Sequence, residues 1–432
     1  MLTLGARTPN HPVADVLVED GRVVEVGSGL RARGGEIVDA SNAIVMPGFV
    51  DTHRHVWRSL FRNLGEIGSA DGTPVSPDDY GQHYEPDDVY AATLVGLLGA
   101  IEAGITTVVD WADIRPEDSH VDAALQAHGD AGLRTVFVHA PASWSTGPDE
   151  EKARLRRLAA RKASGGSETT VAFGPADPDR SNLDRTARDW TLARDLEMRV
   201  HTHVGASSSQ EGAVADLADS GLLGPDVTLI HCSHLDDRDL DAIASHGARV
   251  SLAPSSEMAD GSGMPPMQEL IDRDIRPGLG VDSERLTPGD IFAQMRAANS
   301  VQHALHFDLK LAGKGGLPNL LSTREVIKFA TIDGANVAGL GDVTGSIEPG
   351  KEADIVVLRT DRPNIWPIND PIGAVVWGMD TSNVDWVISG GRVLMRQGEL
   401  VADVAQARDL AVEAKRKVAN AAGLLTGSGS VG

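Results

Sequence analysis

The sequence has 432 residues, of which 41% are hydrophobic and 4% are aromatic, so Val, Leu, Ile and Ala must fill most of a packed core. Its 39 Lys and Arg residues are outnumbered by 62 Asp and Glu residues, and the net charge of −23 disfavours binding to nucleic acid or to an anionic membrane. No apolar run has the length of a membrane span, the N-terminus lacks the apolar segment of a signal peptide, and Cys232 is the only cysteine, so we expect a cytoplasmic protein.

The two ends of the chain are predicted to form strands. Residues 14–27, ADVLVEDGRVVEVG, contain two extended runs joined by Asp20 and Gly21, a pair typical of a hairpin turn. Strand patterns return after residue 340, in residues 345–361 and 384–401. We therefore predict that residues 1–45 and 341–400 form one small β-sandwich-like domain, followed by a terminal helix and a loose tail over residues 401–432.

Residues 46–340 alternate short apolar runs with amphipathic segments such as 87–104 and 235–247. The apolar runs cover residues 43–53, 104–111, 133–140, 169–176, 197–204, 226–233, 248–255 and 275–283. Eight strand–helix repeats over about 240 residues predict an α/β fold, a (β/α)₈ TIM-like barrel. In such barrels the active site lies at the carboxyl ends of the strands.

Histidines and one aspartate end several of these predicted strands. They are His53, His55, His201, His203, His231 and Asp282. Side chains two residues apart in an extended segment point to the same side, so His53 and His55 should project together, as should His201 and His203. Imidazoles and a carboxylate at one rim match Zn²⁺, with Fe²⁺ or Mn²⁺ as alternatives, and this interpretation is favoured over hydrogen-bonded core histidines. Histidines in helices and loops, His120 and His128 among them, are expected at the solvated surface.

These motifs resemble the amidohydrolase superfamily, in the branch of cytosine and guanine deaminase-like enzymes and triazine chlorohydrolases. The matching segments are PGFVDTHRH (47–55), HTHV (201–204), HCSHLDD (231–237), GLGVDS (278–283) and GSIEPGKEADIVVL (345–358). The resemblance implies metal ligation by His53, His55, His203 and Asp282, with His231 contacting substrate. His201 would be a neighbour of the ligands. Relatives with two metals use a lysine on the fourth strand, and TTVAFGPADPD (169–179) has none, so one divalent metal is implied.

One position departs from the family pattern. Deaminases and many chlorohydrolases carry a glutamate three residues after the fifth-strand histidine, where it moves protons between water and a ring nitrogen. Counting from His203 gives Ala206, which cannot move a proton. Glu257, just past the seventh predicted strand, is the candidate replacement, the alternative being a solvated loop carboxylate.

Two further residues are candidates for substrate contact. Trp57 could line the binding site of a flat substrate, or it could cover the open end of the barrel. His139, after the third predicted strand, could orient the substrate or have a structural role.

The chemistry of these groups indicates hydrolysis. A divalent metal lowers the pKa of water, Asp282 can take the released proton, and His231 can donate a hydrogen bond where negative charge develops. We predict a metal-dependent hydrolase that cleaves a C–N bond of a small heterocyclic molecule, by deamination or by opening a cyclic amide or amidine. The alternatives are hydrolytic dehalogenation and a barrel that binds a ligand without catalysis. No nucleic-acid or membrane partner is expected, and association of identical chains is left open.

Overall fold

The structure is a computed structural model that describes residues 14–31, 34–64, 76–114, 117–140, 148–163, 169–178, 182–205 and 210–424. Strands β1 (Asp15–Glu19) and β2 (Arg22–Gly27) form the antiparallel hairpin expected around Asp20 and Gly21. The run predicted as the first barrel strand divides at Gly48, where an added Cβ would lie 2.2 Å from side-chain atoms of Thr106. Its first half is strand β3 (Ala43–Pro47), which joins a separate sheet.

The second half of that run begins an eight-stranded parallel barrel, in which the spatial order of the strands follows the chain. The strands are β4 (Phe49–Arg54), β5 (Ile105–Ala112), β6 (Arg134–His139), β7 (Thr169–Phe173), β8 (Val200–Val204), β9 (Val227–His231), β10 (Arg249–Leu252) and β11 (Gly278–Leu279). The predicted (β/α)₈ barrel is confirmed.

The barrel closes between its first and last strands. Asp282 N donates to His53 O at 2.8 Å, and His55 N donates to Asp282 O at 2.9 Å. Two glycines allow this approach, because a Cβ on Gly280 would lie 2.7 Å from His53 O and one on Gly278 would lie 2.4 Å from a methyl group of Thr52. Closure therefore brings Asp282 beside both histidines of the first strand.

The helices pack around the barrel and over its ends. They are α1 (Pro77–Gly81), α2 (Pro86–Glu102), α3 (Asp118–Ala131), α4 (Pro148–Ala163), α5 (Leu183–Asp195), α6 (Ala213–Asp219), α7 (Asp237–His246), α8 (Pro254–Asp260), α9 (Met267–Ile271), α10 (Ile291–Leu311), α11 (Thr323–Phe329), α12 (Ile332–Val337), α13 (Pro371–Gly373) and α14 (Val404–Ala421). Alternation along the strands separates two apolar layers: Val109, Val136 and Val138 form an inner cluster, whereas Phe49, Phe137 and Val200 belong to the outer one. Within the described parts of the chain, no helix combines the length and the apolar composition of a membrane span.

The small sheet joins both ends of the chain. Strands β12 (Ile355–Arg359), β13 (Val384–Ser389), β14 (Arg392–Arg396) and β15 (Glu399–Leu400) are arranged in the order β15-β14-β13-β12-β3. The β1–β2 hairpin is tied to the C-terminal segment by Val23 N, which donates to Lys351 O at 2.9 Å. The predicted domain boundary near residue 46 falls inside β3. Lys417 of helix α14 forms a salt bridge with Asp88 of α2, with the charged atoms 2.8 Å apart.

Candidate metal and catalytic site

The four predicted metal ligands converge at the carboxyl end of the barrel. Nε2 of His53 lies 3.3 Å from Nε2 of His203 and 3.5 Å from Oδ1 of Asp282. Nε2 of His55 lies 3.4 Å from the same Oδ1. A tetrahedral site with metal–ligand bonds of about 2.0–2.2 Å has ligand atoms about 3.3–3.6 Å apart. These three distances are those of neighbouring metal ligands, and two overlapping sets of side chains could hold an ion: His53 with His55 and His203, and His53 with His231 and Asp282.

The electrostatics of the ligands also suit a cation. Burial lowers the pKa of His53 and of His55, so both imidazoles are neutral at neutral pH. Burial alone would raise the pKa of Asp282, but its hydrogen bond to His53 and the neighbouring histidines hold that pKa well below its usual range. Neutral imidazoles and an ionised carboxylate are the forms that bind metal. A bound cation would interact with all of these ligand atoms, whereas a single shared proton forms a hydrogen bond between only two of them.

Asp113 accepts a hydrogen bond from the second imidazole nitrogen of His55, one of the predicted ligands. Its Oδ1 accepts hydrogen bonds from Nδ1 of His55 at 2.9 Å and from Nε1 of Trp57 at 2.5 Å, and its Oδ2 accepts one from Arg58. Such carboxylate partners fix the orientation of a ligating imidazole. Asp113 is absent from the sequence-based predictions, although an acidic residue at the carboxyl end of a barrel strand was an available signal.

His231 is paired with Glu257 beside the ligands. Nδ1 of His231 lies 3.1 Å from Oε1 of Glu257, which also accepts the N–H of Ala253 at 2.7 Å. Burial lowers the pKa of His231, but the hydrogen bond to Glu257 and the charge of Asp282 outweigh burial and raise it to about 9. Burial also raises the pKa of Glu257. The pair thus keeps a proton on His231 at neutral pH.

Glu257 does not lie in a solvated loop. It is in helix α8 and its side chain is fully buried. Its Oε2 has no hydrogen-bond partner among the described residues. The solvated-carboxylate alternative is therefore wrong, while a catalytic role for Glu257 stays a prediction.

Strained backbone accompanies these side chains. His231, Cys232 and Asp282 have φ values of 74°, 60° and 63°, in the left-handed region that non-glycine residues rarely adopt. Such strain persists only where the surrounding structure enforces it, and it concentrates at functional sites. The backbone conformation at the ends of β9 and β11 thus directs His231 and Asp282 toward the candidate metal site.

Two other contacts at the centre have no counterpart in the sequence analysis. Ser256 Oγ donates to Oδ2 of Asp282 at 2.7 Å. The ring of Trp111 lies 4.2 Å, centroid to centroid, from that of His203 and 5.9 Å from that of His53, so an indole packs against both imidazoles.

The remaining predicted residues lie away from the ligand atoms or fall outside the described chain. Trp57 is buried and its indole N–H is occupied by Asp113. His139 follows the inner residue Val138 and pairs with Glu151 of helix α4 at 2.7 Å, on the helix side of the strand. Substrate contact by either residue stays a prediction. His201 is fully buried, and both of its ring nitrogens lack hydrogen-bond partners among the described residues. Ala206 falls outside the described residues.

Two histidines expected at the surface are buried instead. His128 donates to Asp110 at 2.8 Å and contacts Thr135, and Nε2 of His120 bonds to Tyr84 O at 3.0 Å. The surface prediction was wrong for both. A helical spacing that places them on one face with Val121, Ala124, Ala127 and Ala131 was the signal that could have shown it.

Comparisons with known proteins agree with this geometry. Residues 44–394 match the profile described as "Amidohydrolase family". The chain is 31% identical over 410 residues to a 5'-deoxyadenosine deaminase from Methanothermobacter thermautotrophicus, covering 89% of this chain and 90% of the relative. It is 28% identical over 404 residues to a 5-methylthioadenosine/S-adenosylhomocysteine deaminase from Thermococcus kodakarensis, covering 88% and 89%.

Solved structures share the fold. An adenosine deaminase from Xanthomonas campestris with bound zinc superposes with a TM-score of 0.79 at 22% identity, covering 96% of this chain and 95% of that one. A zinc-bound atrazine chlorohydrolase from Arthrobacter aurescens has a TM-score of 0.79 at 21% identity, covering 96% and 98%. The chain belongs to the amidohydrolase family and is a hydrolase that acts on carbon–nitrogen bonds other than peptide bonds.

Proposed function

We propose that this protein is a single-metal deaminase of a small aminated heterocycle. The observation that carries the proposal is the convergence of His53, His55, His203 and Asp282 at ligand spacing. Zn²⁺ is the proposed metal because three imidazoles and one carboxylate suit it, with Fe²⁺ and Mn²⁺ as alternatives.

The two oxygens of Asp282 have different roles in the proposed mechanism. When bound at these ligands, a divalent metal ion acidifies water and so supplies the nucleophile. Oδ1 of Asp282 faces the ligand nitrogens of His53 and His55, which leaves Oδ2 to accept the proton of the attacking water. Oδ2 then returns that proton to the departing amine, as general acid–base catalysis requires.

Deamination also requires that the ring nitrogen of the substrate gain a proton. With Nδ1 bonded to Glu257, Nε2 is the nitrogen of His231 that remains for the substrate. Nε2–H of His231 can give its proton to the ring nitrogen and regain one from the hydroxyl group that becomes the product carbonyl, while Glu257 orients that imidazole through Nδ1. The His231–Glu257 pair would thus perform the task of the glutamate for which this chain has Ala206.

The proposed substrates are free small molecules with an amino group on an aromatic ring. Two relatives named as deaminases of adenine nucleosides support an aminopurine as the first class to test. The single cysteine supports the cytoplasm as the proposed location.

Ammonia release tests this function. The full-length chain, stripped of metal and reloaded with Zn²⁺, is incubated with adenosine, 5'-deoxyadenosine, 5'-methylthioadenosine, cytosine, guanine and an aminotriazine. We expect zinc-dependent ammonia release from at least one compound, and none from Asp282→Asn. Chloride release from a chlorotriazine, or opening of a cyclic amide, without any ammonia release would refute deamination in favour of those reactions.

A further inference from the structure

Helix α8 contributes a hydroxyl to the centre. Oγ of Ser256 lies 2.7 Å from Oδ2 of Asp282, and both residues are buried, with exposures of 3% and 6%. An ionised carboxylate can only accept hydrogen bonds, so the hydroxyl of Ser256 must be the donor. This bond forms between side chains that are 26 residues apart in the sequence.

The bond distinguishes the two oxygens of Asp282. Oδ1 is the atom closest to the ligand nitrogens, 3.5 Å from Nε2 of His53 and 3.4 Å from Nε2 of His55. Without a partner for Oδ2, the carboxylate could rotate about its Cβ–Cγ bond and offer either oxygen, or both, to a metal. We infer that Ser256 is a positioning residue that restricts Asp282 to one metal-facing oxygen and reserves Oδ2 for the proton. This inference rests on the proposed metal site.

Helix α8 is anchored on both sides of Ser256, so the hydroxyl is held in place. Ser255 N donates at 3.0 Å to Oε1 of Gln294, a fully buried residue of helix α10. Glu257 is bonded to Ala253 N and to His231. Consecutive residues of one short helix therefore bond to the metal-facing aspartate and to the substrate-facing histidine.

Metal binding to the full-length chain tests the inference without a substrate. Metal-free wild type and Ser256→Ala are titrated with Zn²⁺ against a competing chelator, and their Co²⁺ complexes are compared by visible absorption. Loss of a side chain that orients a ligand typically weakens metal binding by about 10- to 100-fold, and we expect Ser256→Ala to do so and to change the Co²⁺ spectrum. Ser256→Thr keeps the hydroxyl and should restore both properties if it folds.

Ser255→Ala is the matched control, because it removes the same group one residue away and leaves the Ser256 hydroxyl in place. It should bind Zn²⁺ like wild type. If Ser256→Ala binds Zn²⁺ within about two-fold of wild type and gives the same Co²⁺ spectrum, the inference is overturned while the metal site stands. If wild type itself binds no metal, the proposed function fails as well.

Discussion

Asp113 allows a quantitative test of how the metal centre is held. Its carboxylate accepts hydrogen bonds from His55, Trp57 and Arg58, and Arg58 and His55 hold its pKa well below the usual range even though burial acts in the opposite direction. Asp113→Asn preserves the size of the side chain and one acceptor oxygen. It removes the negative charge and turns an amide N–H toward a donor, either Arg58 or His55.

Asp113→Asn should lower both the stability of the fold and the affinity for zinc. Hydrogen bonds to charged groups contribute about 1.5–3 kcal/mol, and a buried donor left without a partner costs about 1–3 kcal/mol, so Asp113→Asn should lower the free energy of unfolding by about 2.5–6 kcal/mol. Because Nδ1 of His55 loses its carboxylate partner, zinc affinity should also fall by about 10- to 100-fold. That range corresponds to about 1.4–2.7 kcal/mol of binding free energy.

Urea unfolding of the metal-free protein and zinc titration against a chelator measure the two losses separately. Asp110→Asn is the control, because Asp110 is a buried carboxylate of β5 that bonds to His128 at 2.8 Å and to Val56 N at 3.2 Å, not to a predicted ligand imidazole. We expect the control to lose stability while the folded protein keeps its zinc affinity. Wild-type zinc affinity in Asp113→Asn, or an equal loss in both variants, would refute this account of His55.

Four further outcomes are expected. Glu257→Gln should lower kcat for an aromatic amine by about 10²- to 10⁴-fold, and a loss of only a few-fold would show that the ring proton has another source. In the metal-free protein the pKa of His231 is raised to about 9, above its unfolded value of about 6.5, so this pair stabilises the fold fully below about pH 6.5 and the contribution is lost as pH rises through 9. Urea unfolding at each pH should record that loss of about 3 kcal/mol, and Glu257→Gln should reduce it without removing it, because the charge of Asp282 also raises the pKa of His231; a wild-type stability that does not change over this pH range contradicts the prediction. Gly280→Ala should lower the free energy of unfolding by about 1–3 kcal/mol, because its Cβ would meet His53 O. Gly129→Ala should raise it by about 0.5–1 kcal/mol, because its Cβ meets open space in α3. Calorimetry that shows the same sign for both substitutions would be inconsistent with this packing. Elemental analysis should find one metal ion per chain, and two tightly held ions would exclude the single-metal site.

Local patterns in the sequence were sufficient to predict the fold class and to place at one rim the residues that the resemblance implies as metal ligands. Apolar runs alternating with amphipathic segments reflect buried parallel strands and the helices that cover them, and this pattern is visible within windows of about 10–20 residues. The pair His53 and His55 is equally local, because two residues of a strand share a side whatever the remainder of the chain does. His203 and Asp282 could be placed at the same rim because both follow strands of a barrel.

Only the tertiary structure decided which side chains support those ligands. Asp113 reaches His55 across neighbouring strands, and Ser256 reaches Asp282 from helix α8. Such contacts depend on the barrel register and on how tightly its ends close, which no local periodicity encodes. The same reason explains Glu257: its sequence position indicated the catalytic rim, but the packing of α8 determined that it is buried against His231 rather than exposed to solvent.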